Sequence, residues 1–416
     1  MPGTKRKRKK TKFGIQQLDQ WVMTVAEHLP QLSKPQATVL ALWSFGMAIV
    51  KSCALTTVML FLSTLLKVKE NTMRQRLREW CYSSKDKRGN KRVDIKVHTC
   101  FPFLMRWVMD NWQGTQVAIA MDATALSLKF TVLSVSVVYR GCAIPVAWTI
   151  TKGNAKGGWN RHWFRMLRLI RPSVPSHYIV IVLTDRGLYS PKLFRHIRTM
   201  RWHPFMRINS YGTFRPAGER CFLPIQSFAR EPGQCWRVTG IAFQSSRIPA
   251  TLLAYWEEGT QEAWFILTDL PPEVCNACWY GMRAWIEQGF RTIKRGGWQW
   301  HQTRMTDPRR AQRLWLAVSV ATLWLVSVGG EAEDNTDTPE CAIPDIVDFL
   351  VQPGCRKRRT RRATMLRLVS VFRRGWVTIL VSLIRHDPLP LGRFIPEPWP
   401  MFPYEPLQDK ALGVAV

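Results

Sequence analysis

Hydrophobic positions change their period several times along the chain, and each change predicts a different element. From Lys34 to Trp80 the spacing is helical, with no strand alternation. Within that stretch Glu70 to Trp80 reads as a capped helix, with Asn71 or Thr72 as its N-cap and Arg74, Gln75 and Arg78 on one face. From Gln116 the pattern shifts. Val117 to Met121 is a short apolar run closed by Asp122, Phe130 to Tyr139 alternates like a strand exposed on one side, and Ala143 to Ile150 reads as a third strand beyond the break at Gly141. A helical stretch from Trp159 to Ile170 leads into His177 to Asp185, apolar over most of its length as a strand buried on both faces would be. A helix from Ser190 to Met200 and a strand from Pro204 to Asn209 complete an α/β order of three strands, helix, strand, helix, strand.

Between Tyr211 and Asp269 turn residues multiply and short strand-like runs appear, notably Thr251 to Trp256 and Ala263 to Leu267, so this segment reads as a β-rich insertion. Cys275 to Arg295 returns to helix, and Arg309 to Val328 is an apolar helix fit for the core. Glu331, Glu333, Asp334, Asp337 and Glu340 then read as an acidic linker. The basic cluster Arg356 to Arg359 opens a C-terminal helix ending before Pro388, and the Pro-rich residues beyond it read as mobile. The resulting partition is a basic arm (1–12), a helical domain (13–112), an α/β core (113–210 and 271–330) interrupted by the insertion (211–270), a linker (331–359) and a C-terminal helix with its tail (360–416).

Composition narrows the function classes. The chain has 416 residues, 46% of them hydrophobic, which suffices for a sizeable core and excludes a disordered tail. Lys and Arg outnumber Asp and Glu by 60 to 29, and a net charge of +31 points to a polyanionic partner, with nucleic acid first and anionic membrane as its rival. The ten Cys lack the dense spacing of a secreted scaffold, which predicts a reducing cytoplasm. The basic start Lys5 to Lys12 is followed by Gln16, Gln17, Asp19 and Gln20, where a signal peptide would need an apolar core. Neither long apolar stretch reads as a membrane span: Val39 to Leu66 is broken by Lys51, and Leu314 to Val328 falls short of the roughly 20 residues a span requires. Cys275 and Cys278 have zinc-like spacing with no second pair in range and read as packing. No Walker-type spacing occurs, so no nucleotide cofactor is expected.

Three acids stand out by position. Asp122 and Asp185 each close an apolar run; taken singly, either is as readily a turn former or a cap. Glu287 lies in the segment Tyr280 to Lys294, where about 100° per residue puts Tyr280, Arg283, Glu287, Arg291 and Lys294 on one narrow stripe. Salt-bridge pairing alone would not need the Tyr or a spacing kept over about four turns. Carboxylates on three elements of an α/β core are what a pair of Mg²⁺ ions requires, and such a pair activates the attacking oxygen and stabilises the leaving one in phosphoryl transfer.

Asp122 in Met-Asp-Ala-Thr, Asp185 in Leu-Thr-Asp-Arg-Gly and the Tyr-x2-Arg-x3-Glu-x6-Lys array of Tyr280, Arg283, Glu287 and Lys294 resemble the cut-and-paste DDE transposases of the insertion-sequence-four family. The resemblance spans about residues 116–328 and implies a ribonuclease-H-like catalytic core with a β-rich insertion, preceded by a helical DNA-binding domain and followed by a helical C-terminal region. It implies that Asp122 contacts both Mg²⁺ ions, for which Mn²⁺ can substitute, and that Asp185 and Glu287 each complete one site. Tyr280, Arg283, Arg291 and Lys294 would then grip phosphates of the transposon end. In related enzymes a displaced base stacks on a Trp of the insertion, and Trp256 and Trp264 are the candidates here. The implied partners are transposon-end and target DNA, bound by a homodimer assembled on DNA, with the C-terminal helix from Thr360 to Ile384 as pairing surface. Arg74, Gln75 and Arg78 suit a recognition helix, since Arg and Gln offer bidentate hydrogen bonds to base edges. Two other classes compete: a catalytically inactive transposon-derived DNA-binding protein, and a peripheral membrane protein whose C-terminal helix sets Arg367, Arg373 and Arg374 beside Leu366, Leu368, Val371, Phe372 and Trp376.

Overall fold

The computed structural model describes residues 15–87, 93–153, 158–335, 367 and 369–400. The basic arm, the cluster Arg356 to Arg359, Leu366, Leu368 and residues 401–416 lie outside them. Helices α1 (Gln16–His28), α2 (Lys34–Val50), α3 (Leu55–Leu66), α4 (Glu70–Cys81) and α5 (Phe101–Asp110) come first. A capping box starts α2, where the Gln36 side chain accepts from the Ser33 backbone N–H at 2.9 Å. The cap of α4 is Lys69, not Asn71 or Thr72. Lys67 turns the chain out of α3 in the left-handed region (φ 51), so α4 begins three residues later, at Glu70, and takes Asn71 and Thr72 into its first turn.

The sheet begins with β1 (Gln116–Leu126), β2 (Phe130–Tyr139) and β3 (Cys142–Lys152), an antiparallel meander. After α6 (Asn160–Ile170), β4 (Ile179–Thr184) pairs parallel with β1; after α7 (Pro191–Thr199), β5 (His203–Arg207) pairs parallel with β4. The expected insertion forms β6 (Thr213–Pro216), β7 (Leu223–Pro224), β8 (Cys235–Ala242), β9 (Ile248–Tyr255) and β10 (Trp264–Thr268). Its last strand, β10, pairs antiparallel with β5, so the insertion extends the core sheet, giving the order β3-β2-β1-β4-β5-β10-β9-β8-β6-β7 among the described residues.

Alternate side chains of β3 face opposite layers. Thr149 reaches Met166 of α6, whereas the Trp148 indole donates to the Gln312 carbonyl at 3.2 Å on the other side. Gln312 belongs to α9 (Pro308–Asp334), which follows α8 (Ala284–Arg291). By length and composition α9 is apolar enough to cross a membrane, but 94% of its apolar window is buried in the protein, as a core helix requires. The N-terminal helices share that core: the Trp21 and Trp324 rings stack at 4.1 Å, and the Trp80 indole donates to the Arg313 carbonyl at 2.9 Å.

The C-terminal region departs from expectation twice. Glu331, Glu333 and Asp334 are the last turn of α9, not linker: Arg140, buried at the end of β2, pairs with Glu333 at 3.0 Å and Asp334 at 3.1 Å. The Pro-rich segment from Pro388 to Pro400 is docked, not free. Phe394 is fully buried against Trp112 and Tyr139, and the Ile395 carbonyl accepts from Arg140 Nε at 2.8 Å. Between them α10 (Val371–Ile384) lies on α9 with Val371, Phe372, Gly375 and Ile379 buried. Val371 and Phe372 are therefore committed to the interior, which removes them from any membrane-facing surface.

Candidate active site

Asp122 and Asp185 meet because of strand register. The parallel ladder of β1 and β4 ends at Met121 opposite Thr184, so the next residue on each strand is the carboxylate. Asp122 does not end its strand as expected: β1 runs on to Leu126, hydrogen-bonded to β2 alone. Asp185 opens a turn in which its Oδ1 accepts the Gly187 N–H at 2.5 Å. Glu287 comes from α8, which packs on the β1–β3 meander.

The helical segment carrying Glu287 is not one regular α-helix. Ala277–Arg283 is 3₁₀, Ala284–Arg291 is α and Thr292–Gly296 is π, so the winding tightens before Glu287 and loosens after it. Arg283 stands at the first seam, and its guanidinium gathers all three acids. Its Nη2 lies 2.9 Å from Asp122 Oδ2 and 3.6 Å from Asp185 Oδ2, while Nη1 donates to Glu287 Oε1. Past the second seam, Lys294 donates to Thr124 Oγ1 at 2.6 Å. Thr124 was not singled out by sequence, although the period of two on β1 puts it on the Asp122 face.

An open cleft of about 330 Å³ is lined by Asp122, Thr124 and Glu287 together with Arg291, Lys294 and Arg295. Burial pushes the Asp122 carboxyl up to about 6, with Arg283 pulling the other way. Burial also lowers Lys294, helped by the neighbouring charge of Arg295. Tyr280 does not share the open face: it is buried, its ring meets Trp264 edge-on at 5.2 Å, and burial raises its hydroxyl to about 12. Arg291 is exposed at the mouth.

The two tryptophans differ in setting. Trp264 is half-buried between Tyr280 and Tyr255. Trp256 lines a separate cleft of about 200 Å³ with Arg186, Arg207, Gln226 and Glu262, and Arg186 directly follows Asp185. Arg186 and Arg207 both pair with Glu262, at 3.1 and 2.6 Å. On α4, Arg74 and Arg78 are exposed, Gln75 donates to Glu79 at 2.7 Å, and Arg78 Nε donates to the Tyr82 hydroxyl at 2.9 Å. Cys275 is buried, and the Cys278 thiol donates to the Pro400 carbonyl at 2.9 Å.

The donor chemistry fits hard divalent cations, being oxygen-only and carrying three negative charges around one point. Among the described residues, no three His, Cys, Asp or Glu side chains stand ready to hold a metal as they are, since the Arg283 guanidinium stands between the carboxylates. No curated protein matches the chain. Among solved structures it is similar to a cryo-EM piggyBac transposase synaptic complex with hairpin DNA, at 11% identity and a TM-score of 0.30 over 74% of this chain and 79% of that one, a likeness too loose to carry an argument. The family described as "Transposase DDE domain" matches residues 113–324, more than half of the chain, which therefore belongs to that family.

Proposed function

We propose that the protein is a transposase of the insertion-sequence-four type. It binds the inverted-repeat ends of its element, cuts DNA by metal-assisted phosphoryl transfer and joins the free 3′ ends to target DNA. One observation carries this reading: carboxylates from β1, from the end of β4 and from α8 converge on a single cation, beside a wall of Arg291, Lys294 and Arg295. The meander β1 to β3 followed by the parallel strands β4 and β5 supports a ribonuclease-H-like core.

In this reading Asp122, Asp185 and Glu287 hold two Mg²⁺ or Mn²⁺ ions, which when bound supply an activated attacking oxygen and a stabilised leaving oxygen. The chain's own groups do the rest. Lys294, aimed by Thr124, meets a phosphate oxygen in the cleft it shares with Asp122 and Glu287, and Arg291 and Arg295 line its approach. Tyr280, packed under Trp264, anchors the segment that carries Arg283. Trp256, which lines a cleft instead of packing between two tyrosines, is favoured as the surface for an unstacked base. A homodimer on DNA would pair through the outward side of α10, where Arg373, Val377, Val381 and Ile384 are exposed.

The function is tested by offering the protein a duplex that carries the inverted repeats bordering its coding region. Strand cleavage is expected with Mg²⁺ or Mn²⁺ and none after chelation. Binding without cleavage under every metal condition would favour the catalytically inactive DNA-binding protein. Recognition is tested separately. Arg74→Ala or Arg78→Ala is expected to weaken end binding by about 1–3 kcal/mol, as loss of one bidentate base contact would. Unchanged footprints on the repeat would remove α4 from the interface.

A further inference from the structure

Arg283 commits both terminal nitrogens to carboxylates, Nη2 to Asp122 and Asp185 and Nη1 to Glu287. Its remaining nitrogen, Nε, is buried with no hydrogen-bond partner, and the side chain is only 16% exposed. Both gripping edges of a guanidinium, Nη1 with Nη2 and Nε with Nη, use a terminal nitrogen that the acids already hold. A bidentate grip on a DNA phosphate is therefore incompatible with the present contacts. Divalent cations need the same carboxylate oxygens that the guanidinium now occupies. Lys294 holds none of the three carboxylates, its amine donating to Thr124 instead.

We propose that Arg283 is a positioning residue that stands in for the metal ions in the DNA-free protein, and that a DNA phosphate draws it off the three carboxylates so that divalent ions enter after DNA. This rests on the reading of Asp122, Asp185 and Glu287 as metal ligands. The exchange leaves no charge unpaired. Before DNA, one guanidinium offsets part of the repulsion among three clustered acids. After it, Arg283 pairs with phosphate and the acids pair with cations, whose higher charge suits them better. Arg283 ends the 3₁₀ segment where α8 begins, a seam at which the side chain can be re-aimed without unwinding the helix that holds Glu287. Linkage then requires that DNA tighten metal binding and that metal tighten DNA binding by the same factor.

The test is Mn²⁺ binding, read by electron paramagnetic resonance of the free ion, on the full chain with and without a short duplex, after subtracting ions held by DNA alone. Wild-type affinity for Mn²⁺ is expected to rise about tenfold on adding duplex. Arg283→Gln is expected to bind Mn²⁺ without DNA at close to that raised affinity, with little further gain from duplex. Arg283→Lys, which keeps the charge but loses the fork, should fall between the two and guards against a Gln variant that fails to fold. If both variants bind Mn²⁺ no tighter than the DNA-free wild type while DNA still tightens the wild type, the gate is refuted and the metal site stands. If no form binds Mn²⁺ with or without DNA, the metal reading itself fails.

Discussion

Asp122→Ala is expected to lower Mg²⁺-dependent strand cleavage by about 10³-fold or more without weakening retention of the inverted-repeat duplex by more than about twofold in a gel-shift assay run without divalent ions. Asp122 is the most buried of the three acids, with its side chain 15% exposed against 38% for Asp185 and 45% for Glu287, so its position is the one solvent can least replace. The loss should not come from unfolding. Burial raises the Asp122 carboxyl to about 6, above its ordinary 3.8. An acid raised by folding makes the native state bind more protons than the unfolded chain between those values, so its contribution to stability falls as pH rises through that window and is unfavourable at neutral pH. Removing the carboxyl should therefore leave the melting temperature at neutral pH unchanged or slightly higher. Cleavage retained by a folded Asp122→Ala protein would take this residue out of the reaction and with it the mechanism.

The acids were legible singly, but their meeting was not. Glu287 and Arg283 are four residues apart and share a helical face by arithmetic, whereas Asp122 lies 161 positions from Arg283. What brings them together is the register of β1 against β4, a property of two strands at once. The all-apolar run of β4 was readable because both its faces are covered. The end of β1 was misread for a related reason. The apolar run stops at Met121, and the four residues after it are half-buried or exposed, but pairing with β2 continues to Leu126 opposite Phe130. Hydrophobicity marks burial, and a hairpin can outlast it.

The helical segment around Glu287 and the C-terminal tail were opaque for different reasons. A wheel drawn at one angle cannot represent a segment that passes from 3₁₀ through α to π, and this is why Tyr280 lies under Trp264 while Lys294 turns to Thr124. The tail offers no periodicity because it docks through isolated anchors, Leu389 and Phe394, in an otherwise Pro-rich stretch. The acidic run reads as solvated linker, yet Glu331, Glu333 and Asp334 are in α9 and pair with Arg140, Arg367 and Arg393. Charge pattern gave the composition of that segment and not its contacts.

Gly375→Ala is expected to destabilise the protein by about 3 kcal/mol, although the same change in an isolated helix would stabilise it by about 1 kcal/mol. The sign reverses because α9 and α10 cross at backbone contact. A methyl group on Gly375 would stand 1.8 Å from the Leu325 carbonyl oxygen and 2.8 Å from the Gly329 nitrogen, and one on Gly329 would stand 1.9 Å from the Val371 carbonyl oxygen. These neighbours are main chain of a buried helix, so they cannot rotate aside as a side-chain tip would. Relief requires α10 to lift, which exposes Val371, Phe372 and Ile379 and loosens the edge-on packing of Phe372 against Trp298. Gly281→Ala is the matched control, because a Cβ there meets nothing within 4 Å. Thermal or denaturant unfolding should separate the two variants clearly. Equal stability would mean that α10 does not seat on α9 this closely, and the outward face assigned to it for pairing would then have to be redrawn.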